Sequence, residues 1–315
     1  MRNCRCFVAL VALAVIALLG GCGGREDSSA PKEQTPTSVQ TATTVRPIIR
    51  SLSFPVAYLV ERLGGEQIGH ECVLPPGLDP STWAPSGELV AGLATADLIV
   101  AHGAGYEAWM ESAALPQSRV LLSTAGIDLL TVPRTEHQHG AGGAHVHAGT
   151  NPHTWLDPDR YATEARAVAG ALIALLPQDA PEIEERLGLL TAELTALAAG
   201  WDELLGLLKE HQLAGNDQAW AYLLARAGLP FTLLPIDGVE PPDAASLQAF
   251  DAFVSANPTP LMLWKRSPGP PVLAALKGAR HVVLSPLEQP EGTRYDYVGQ
   301  ARAAQANLRA VFAGG

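Results

Sequence analysis

Cysteine is scarce where it could matter. Of four in 315 residues, Cys4, Cys6 and Cys22 fall in the first 22 positions and only Cys72 lies beyond them. One thiol forms no intramolecular disulfide, so the folded part must stand on its apolar core. Positive charge is also short: 21 Lys and Arg face 32 Asp and Glu, for a formal charge of −11. So acidic a surface argues against nucleic acid as a partner and suits the attraction of cations. No His-Glu-x-x-His, Gly-x-Ser-x-Gly or phosphate-binding glycine loop occurs. Hydrolase and nucleotide chemistry thus have no motif to rest on, and the chain is not expected to be an enzyme. Apolar residues nonetheless make up 47 % of a chain as long as about two ordinary domains, enough to build a core.

The first segment is not expected to belong to the fold. Arg2 and Arg5 open it, and the apolar run 7–19 is too short to span a bilayer comfortably. Leu19-Gly20-Gly21-Cys22 resembles the lipobox of bacterial lipoproteins, which implies cleavage after residue 21 and lipid on Cys22; an uncleaved anchor is the alternative. Both place the remainder outside the cytoplasm. Removing two arginines and no acid leaves that remainder two charges more acidic than the whole. Residues 22–45 are Ser, Thr, Pro, Gln and charge, the composition of a disordered tether.

From Pro47 onward strand-like and helix-like runs alternate. Strands are expected at 47–49, 72–74, 98–100 and 120–122, with helices at 56–63, 89–94 and 106–113. Such alternation implies βαβ units and a mostly parallel sheet with helices on both faces, whose ligands gather just beyond the carboxyl ends of the strands. The run 131–150 is too rich in Gly, His and Ala to pack and reads as a mobile surface loop. A helix from about 159 is stopped by Pro177. Ile183, Leu187, Leu190, Leu194, Leu197, Trp201, Leu204 and Leu208 then recur at steps of four and three, predicting a helix over 181–209 of roughly 40 Å. Gly188, Gly200 and Gly206 each weaken it by about 1 kcal/mol, so burial along one side must hold it. Helices at 219–227, 244–255, 272–276 and 295–312 then alternate with strands at 231–234, 260–264 and 281–284. No internal repeat is strong enough to claim.

Histidine carries the chemical signal. Nine are present, and five of them (His137, His139, His145, His147 and His153) fall within 17 positions. Neutral imidazoles are good ligands for zinc, nickel and copper, and the pairs 137/139 and 145/147 on flexible backbone suit capture or exchange of an ion more than a rigid site. His153 differs, because NPHTWLDP (151–158) gives it rigid flanks where a loop enters a helix. His102 follows a strand end directly and is a further candidate. His70 and His281 read as structural, and Cys72 as a small core residue.

Taken together, these stretches resemble a known family. The Cys22 signal, NPHTWLDP, the preceding histidine-rich loop and the long helix look like the periplasmic metal-binding lipoproteins that serve zinc and manganese ABC importers, the cluster A-I type of solute-binding protein. His102-Gly-Ala-Gly-Tyr-Glu-Ala-Trp109 is similar to that family's Asn-Gly-x-Gly-x-Glu-x-Trp, and Gly77-Leu-Asp-Pro-Ser-Thr-Trp83 to its Gly-x-Asp-Pro-His-x-Tyr. Asp217-Gln-Ala-Trp-Ala-Tyr222 resembles its His-x-Ala-Phe-x-Tyr, and Leu284-Ser-Pro-Leu287 its Leu-Asp-Pro-Leu. The resemblance runs from about Pro47 to Phe312 and implies two Rossmann-like α/β lobes with parallel sheets joined by a long backbone helix. The implied organisation is a signal at 1–21, a tether at 22–45, a first lobe at 46–157 with the histidine-rich loop at 134–150, a helical linker at 158–209 and a second lobe at 210–315.

The resemblance also implies a site of three histidines and a carboxylate. Here those positions are Ser81, His153, Asp217 and Ser285. Asp217 can still donate oxygen, whereas neutral serine hydroxyls are poor zinc ligands. Three arrangements stay open. The site is rebuilt around His153 and Asp217 with Asp79, His102 or loop histidines, leaning toward manganese or magnesium; or the loop holds the ion; or the fold binds something else, such as a protein. The implied role is a monomeric, lipid-anchored binding protein that passes zinc, or else manganese, to an inner-membrane ABC permease.

Overall fold

The computed structural model describes residues 46–131, 136–138, 144–146, 149–292 and 295–313. Cys22, His139 and His147 lie outside these residues, as do the side chains of His137 and His145. Among the described residues no helix is long and apolar enough to cross a membrane.

The first lobe is built from β1 (Ile48–Ser51), α1 (Phe54–Gly64), β2 (Gly69–Cys72), α2 (Gly87–Leu93), β3 (Leu98–Ala101) and β4 (Val120–Leu122). Its sheet runs in the order β2-β1-β3-β4, all parallel, with Ile49 opposite both His70 and Leu98. Parallel neighbours cannot be joined by a tight hairpin, so every connection is a crossover that brings the chain back to the amino end of the next strand. An excursion then forms an antiparallel pair, β5 (Glu136–Gln138) with β6 (Ala144–Val146), that sets His137 opposite His145. The chain continues through α3 (Pro158–Leu175) and α4 (Ala180–Leu208). The second lobe holds β7 (Gln212–Gly215), α5 (Ala221–Arg226), β8 (Phe231–Leu233), α6 (Ala244–Ala256), β9 (Pro260–Trp264), α7 (Pro270–Ala275), β10 (Arg280–Val283) and α8 (Tyr297–Ala313). Its sheet order is β10-β9-β7-β8, again all parallel. Numbered within its own lobe, each sheet reads 2-1-3-4: the lobes share one topology without a recognisable sequence repeat.

α4 is where the apolar periodicity leads. Ile183, Leu190, Leu194, Leu197, Trp201, Leu204 and Leu208 are all buried, Leu187 partly so. They pack on α1, α3 and α8 in one core that reaches into both lobes. Gly200 is a place of close approach, since a Cβ there would stand 2.7 Å from Oε1 of Gln305 on α8. Gln305 Nε2 donates to the Leu197 carbonyl at 2.7 Å, so the glycine lets the two helices bond side chain to backbone. That contact offsets part of its helix-propensity cost.

Four expectations need correction. β2 lies three residues earlier than the apolar triplet 72–74, because pairing with β1 rather than hydrophobicity sets its limits. Residues 106–113 form only a short 3₁₀ helix at Ala108–Ser112. Backbone in the left-handed region at Gly103, Ala104 and Gly105 precedes it and delays helix formation. β7 was not foreseen, although it lies in the middle of the second sheet; its Gln-Leu-Ala-Gly is too short and too mixed to signal a strand. The stretch 131–150, expected to be a loop, contains β5 and β6.

The ends of that excursion are fixed to the body. Thr131 and Thr150 form an antiparallel bridge, and Asn151 N–H donates to the Leu130 carbonyl at 2.8 Å. The buried Tyr222 hydroxyl accepts from Leu130 N–H at 2.9 Å and donates to the Asn151 carbonyl at 2.8 Å.

Candidate metal site

His153 stands at the junction of the lobes, and its neighbours set the orientation of its ring. Asn151 Nδ2 donates to the Gln218 carbonyl at 2.6 Å, which turns Asn151 Oδ1 toward His153, where it lies 2.9 Å from both the backbone N–H and Nδ1. Asn151 Oδ1 accepts from Nδ1, and Nε2 is the atom presented to the other lobe. There it donates to Glu288 Oε1 at 2.8 Å.

Glu288 reaches that position through an unusual backbone. After β10, Ser285 Oγ accepts from Leu287 N–H at 3.3 Å, and Leu287 takes φ +55°, sparsely populated for a leucine. The Tyr295 hydroxyl donates to the Leu287 carbonyl at 2.6 Å and Trp155 Nε1 to the Pro286 carbonyl at 2.8 Å, so the turn is held from both sides. Gln289 completes the join, accepting from Gly77 N–H at 2.9 Å and donating to the Leu78 carbonyl at 2.8 Å. Ser285 thus shapes the turn, and the acidic group arrives three residues later.

The other family positions behave differently. Ser81 is buried and its Oγ donates to Asp79 Oδ1 at 2.6 Å. Asp217 Oδ1 accepts from Ala219 N–H at 2.8 Å at the approach to α5, while Oδ2 lies 3.3 Å from Lys265 Nζ. That ammonium is also 3.2 Å from Glu288 Oε1. As the side chains lie, no group of three His, Cys, Asp or Glu among the described residues could hold a metal ion. His153, Glu288, Lys265 and Asp217 instead make a chain of contacts, with the cation between the two carboxylates.

Electrostatics follow from that order. Burial disfavours the charge on Lys265, but Glu288, Asp217 and Asp79 outweigh it and hold the ammonium above its ordinary pKa. Burial likewise pushes Glu288 up, yet Lys265 and then His153 bring it down to about 2. A carboxylate whose pKa falls on folding contributes stability that is whole above the ordinary value near 4.5 and is lost as pH drops toward about 2. Glu288→Gln should therefore flatten this acid limb, removing on the order of 3 kcal/mol of its pH dependence in urea titrations between pH 5 and 2. An unchanged acid limb would refute this. Beside the pair, the buried Tyr106 hydroxyl has no hydrogen-bond partner among the described residues. Burial, then Glu288 and Asp79, carries its pKa well above the ordinary phenol value.

His102 is not in this cleft. It is fully buried behind it, with Nε2 donating to the Pro152 carbonyl at 2.6 Å and Nδ1 3.1 Å from Glu164 Oε2 without good hydrogen-bond alignment. Burial lowers its pKa, but Glu164 raises it further, and the net shift is upward. Nε2 thus holds the Pro152–Thr154 segment, while Nδ1 faces Glu164. His70 bonds to Ser51 at 2.8 Å, and His281 accepts from Trp264 Nε1 and donates to the Leu276 carbonyl. Burial pushes the Cys72 thiol up to about 11, away from the thiolate a metal would need.

Fold and site together define a two-lobe α/β binding protein with polar groups from both lobes meeting at one cleft. The family model described as zinc-uptake complex component A, periplasmic, matches residues 52–311, and the chain belongs to that family. The zinc-binding lipoprotein AdcA of Streptococcus pneumoniae is 26 % identical over 248 residues, covering 75 % of this chain and 49 % of AdcA. The high-affinity zinc uptake system protein ZnuA of Bacillus subtilis is 23 % identical, covering 75 % and 76 %. The manganese ABC transporter substrate-binding lipoprotein scaA of Streptococcus gordonii is 25 % identical, covering 62 % and 59 %. The chain therefore spans about half the length of AdcA. The zinc-bound ZnuA-like domain of Streptococcus pneumoniae AdcA superposes with a TM-score of 0.69 at 21 % identity, covering 84 % and 99 %, a likeness of fold.

Reasoning from sequence missed Glu288, Lys265 and Tyr106. The signals were present: an acid directly after Leu284-Ser-Pro-Leu287, a lysine at the first position beyond β9, and a tyrosine inside the motif that begins at His102.

Proposed function

We propose that the chain is the metal-binding component of an ABC importer: an extracytoplasmic solute-binding lipoprotein, anchored through Cys22, that takes up zinc or, next, manganese and delivers it to an inner-membrane permease. It acts as a monomeric binding protein and not as an enzyme. Family membership supports the reading, and the observation that carries it is His153 Nε2 held toward acidic groups of the second lobe by Asn151.

The ligands that this reading assigns are His153, Asp217 and Glu288, with Asp79 and the Tyr106 hydroxyl within reach of the same cleft. Ser81 and Ser285 keep Asp79 and Glu288 in place through their hydroxyls, and His102 supports His153 from behind. One imidazole among carboxylates is a harder set than a site of three histidines, which makes manganese a real competitor of zinc. The histidine-rich hairpin gathers ions ahead of the cleft.

Calorimetry with zinc and with manganese tests the reading; binding of neither ion overturns it. His153→Ala should abolish most of the metal-induced thermal stabilisation, which for a site at 100 times its Kd is worth about 2.7 kcal/mol. Full stabilisation in that variant would place the ion elsewhere.

A further inference from the structure

Lys265 stands where this reading puts the ion, and its place follows from sheet topology. β9 lies between β10 and β7, with Trp264 paired to Val283 and Leu263 to Gly215. The residue after β9 therefore emerges between the segment after β7, which carries Asp217, and the turn after β10, which carries Glu288. Asn216 Oδ1 accepts from Lys265 N–H at 3.2 Å and fixes the start of the side chain. Nζ then comes to rest 3.3 Å from Asp217 and 3.2 Å from Glu288.

We propose that Lys265 is a tethered cation that occupies the metal position and limits the affinity of the cleft, so that a divalent ion enters only as the ammonium leaves. An ammonium has three donors and no lone pair, so it satisfies the carboxylates without serving as a ligand. While it remains, a second cation meets its repulsion at short range and finds Asp217 and Glu288 engaged. Three acidic groups, Asp79, Asp217 and Glu288, act on this one lysine, which leaves enough negative charge to favour a divalent ion once the lysine has gone. The side chain is 22 % exposed and unbranched, giving it a route to water. The partnerless Tyr106 hydroxyl at the same place is a polar atom that an incoming hydrated ion can satisfy.

The proposal rests on the metal-binding reading above, and the experiment separates the two. Zinc and manganese affinities are measured by calorimetry on the whole chain and on Lys265→Met, which keeps the length of the side chain and removes its charge. The variant should bind about 10- to 100-fold more tightly. In the unmodified protein, acylation of Lys265 followed by peptide mass spectrometry should rise when zinc is added, with Lys209 and Lys277 as internal references. Equal or weaker binding by Lys265→Met, while the unmodified chain binds metal, overturns the proposal and leaves the function standing. Binding by neither protein overturns both. If the variant does not fold, acylation of the unmodified chain decides: a Lys265 that stays equally protected in zinc is not displaced, and the proposal fails.

Discussion

Trp155→Ala is expected to cost about 3–5 kcal/mol of unfolding free energy, measured as a fall in urea midpoint at unchanged m-value. Trp155 is fully buried, with its ring centroid 4.8 Å from that of His102, 4.9 Å from Tyr106 and 5.0 Å from His153. Its indole N–H bonds to Pro286 and its carbonyl accepts the Tyr297 hydroxyl, so one residue ties the His153 turn to the Glu288 turn. Truncation leaves a cavity and the Pro286 carbonyl without its donor, while the Tyr297 hydroxyl keeps its backbone acceptor. Trp155→Phe separates the parts: it keeps most of the packing, loses the N–H, and should cost about 1–2 kcal/mol. A loss below about 1 kcal/mol for the alanine variant would show that the site region relaxes freely and is not held by this residue.

Glu164→Ala should be similarly severe, about 3–5 kcal/mol, for an electrostatic reason. The carboxylate is fully buried on α3 and accepts from Ser123 Oγ at 2.7 Å and Thr154 Oγ1 at 2.6 Å, with His102 Nδ1 at 3.1 Å. Removing it leaves two hydroxyls only their longer contacts and takes from the buried imidazole the group that does most to raise its pKa. The diagnostic measurement is a double-mutant cycle with His102→Phe. Once the imidazole is gone, loss of Glu164 should cost less, giving a coupling of about 1–3 kcal/mol. Costs that add within about 0.5 kcal/mol would mean that His102 and Glu164 act independently. The network lies directly behind His153, so metal affinity should fall in Glu164→Ala even though Glu164 touches no ion.

Legibility in the sequence followed the range of the interactions. α4 could be read because its burial repeats every three to four residues over 29 positions, and the strands richest in Val, Ile and Leu could be read for a similar reason. β7 could not, because a strand with only two apolar residues becomes central through its neighbours, which lie far away in the chain. Motif spacing led to His153 and Asp217, whose surroundings are local: Asn151 is two residues from one, and Ala219 two from the other. Glu288 escaped notice because a leucine in the left-handed region turns the chain after Ser285, and nothing in a leucine announces that. Lys265 escaped because a search for ligands passes over cations. Its position just past a strand end was the kind that the fold class marks for inspection.

The pinned stem of the histidine-rich excursion has a consequence for how this protein can vary. Tyr222 and the Thr131–Thr150 bridge hold the two ends together whatever lies between them, and closing a chain twice as long adds only about 0.6 kcal/mol. The excursion is therefore a graft on a finished body. Its length and histidine content can drift, be lost or be exchanged between relatives while the cleft keeps its geometry, so the proposed gathering and holding of ions would be open to separate selection.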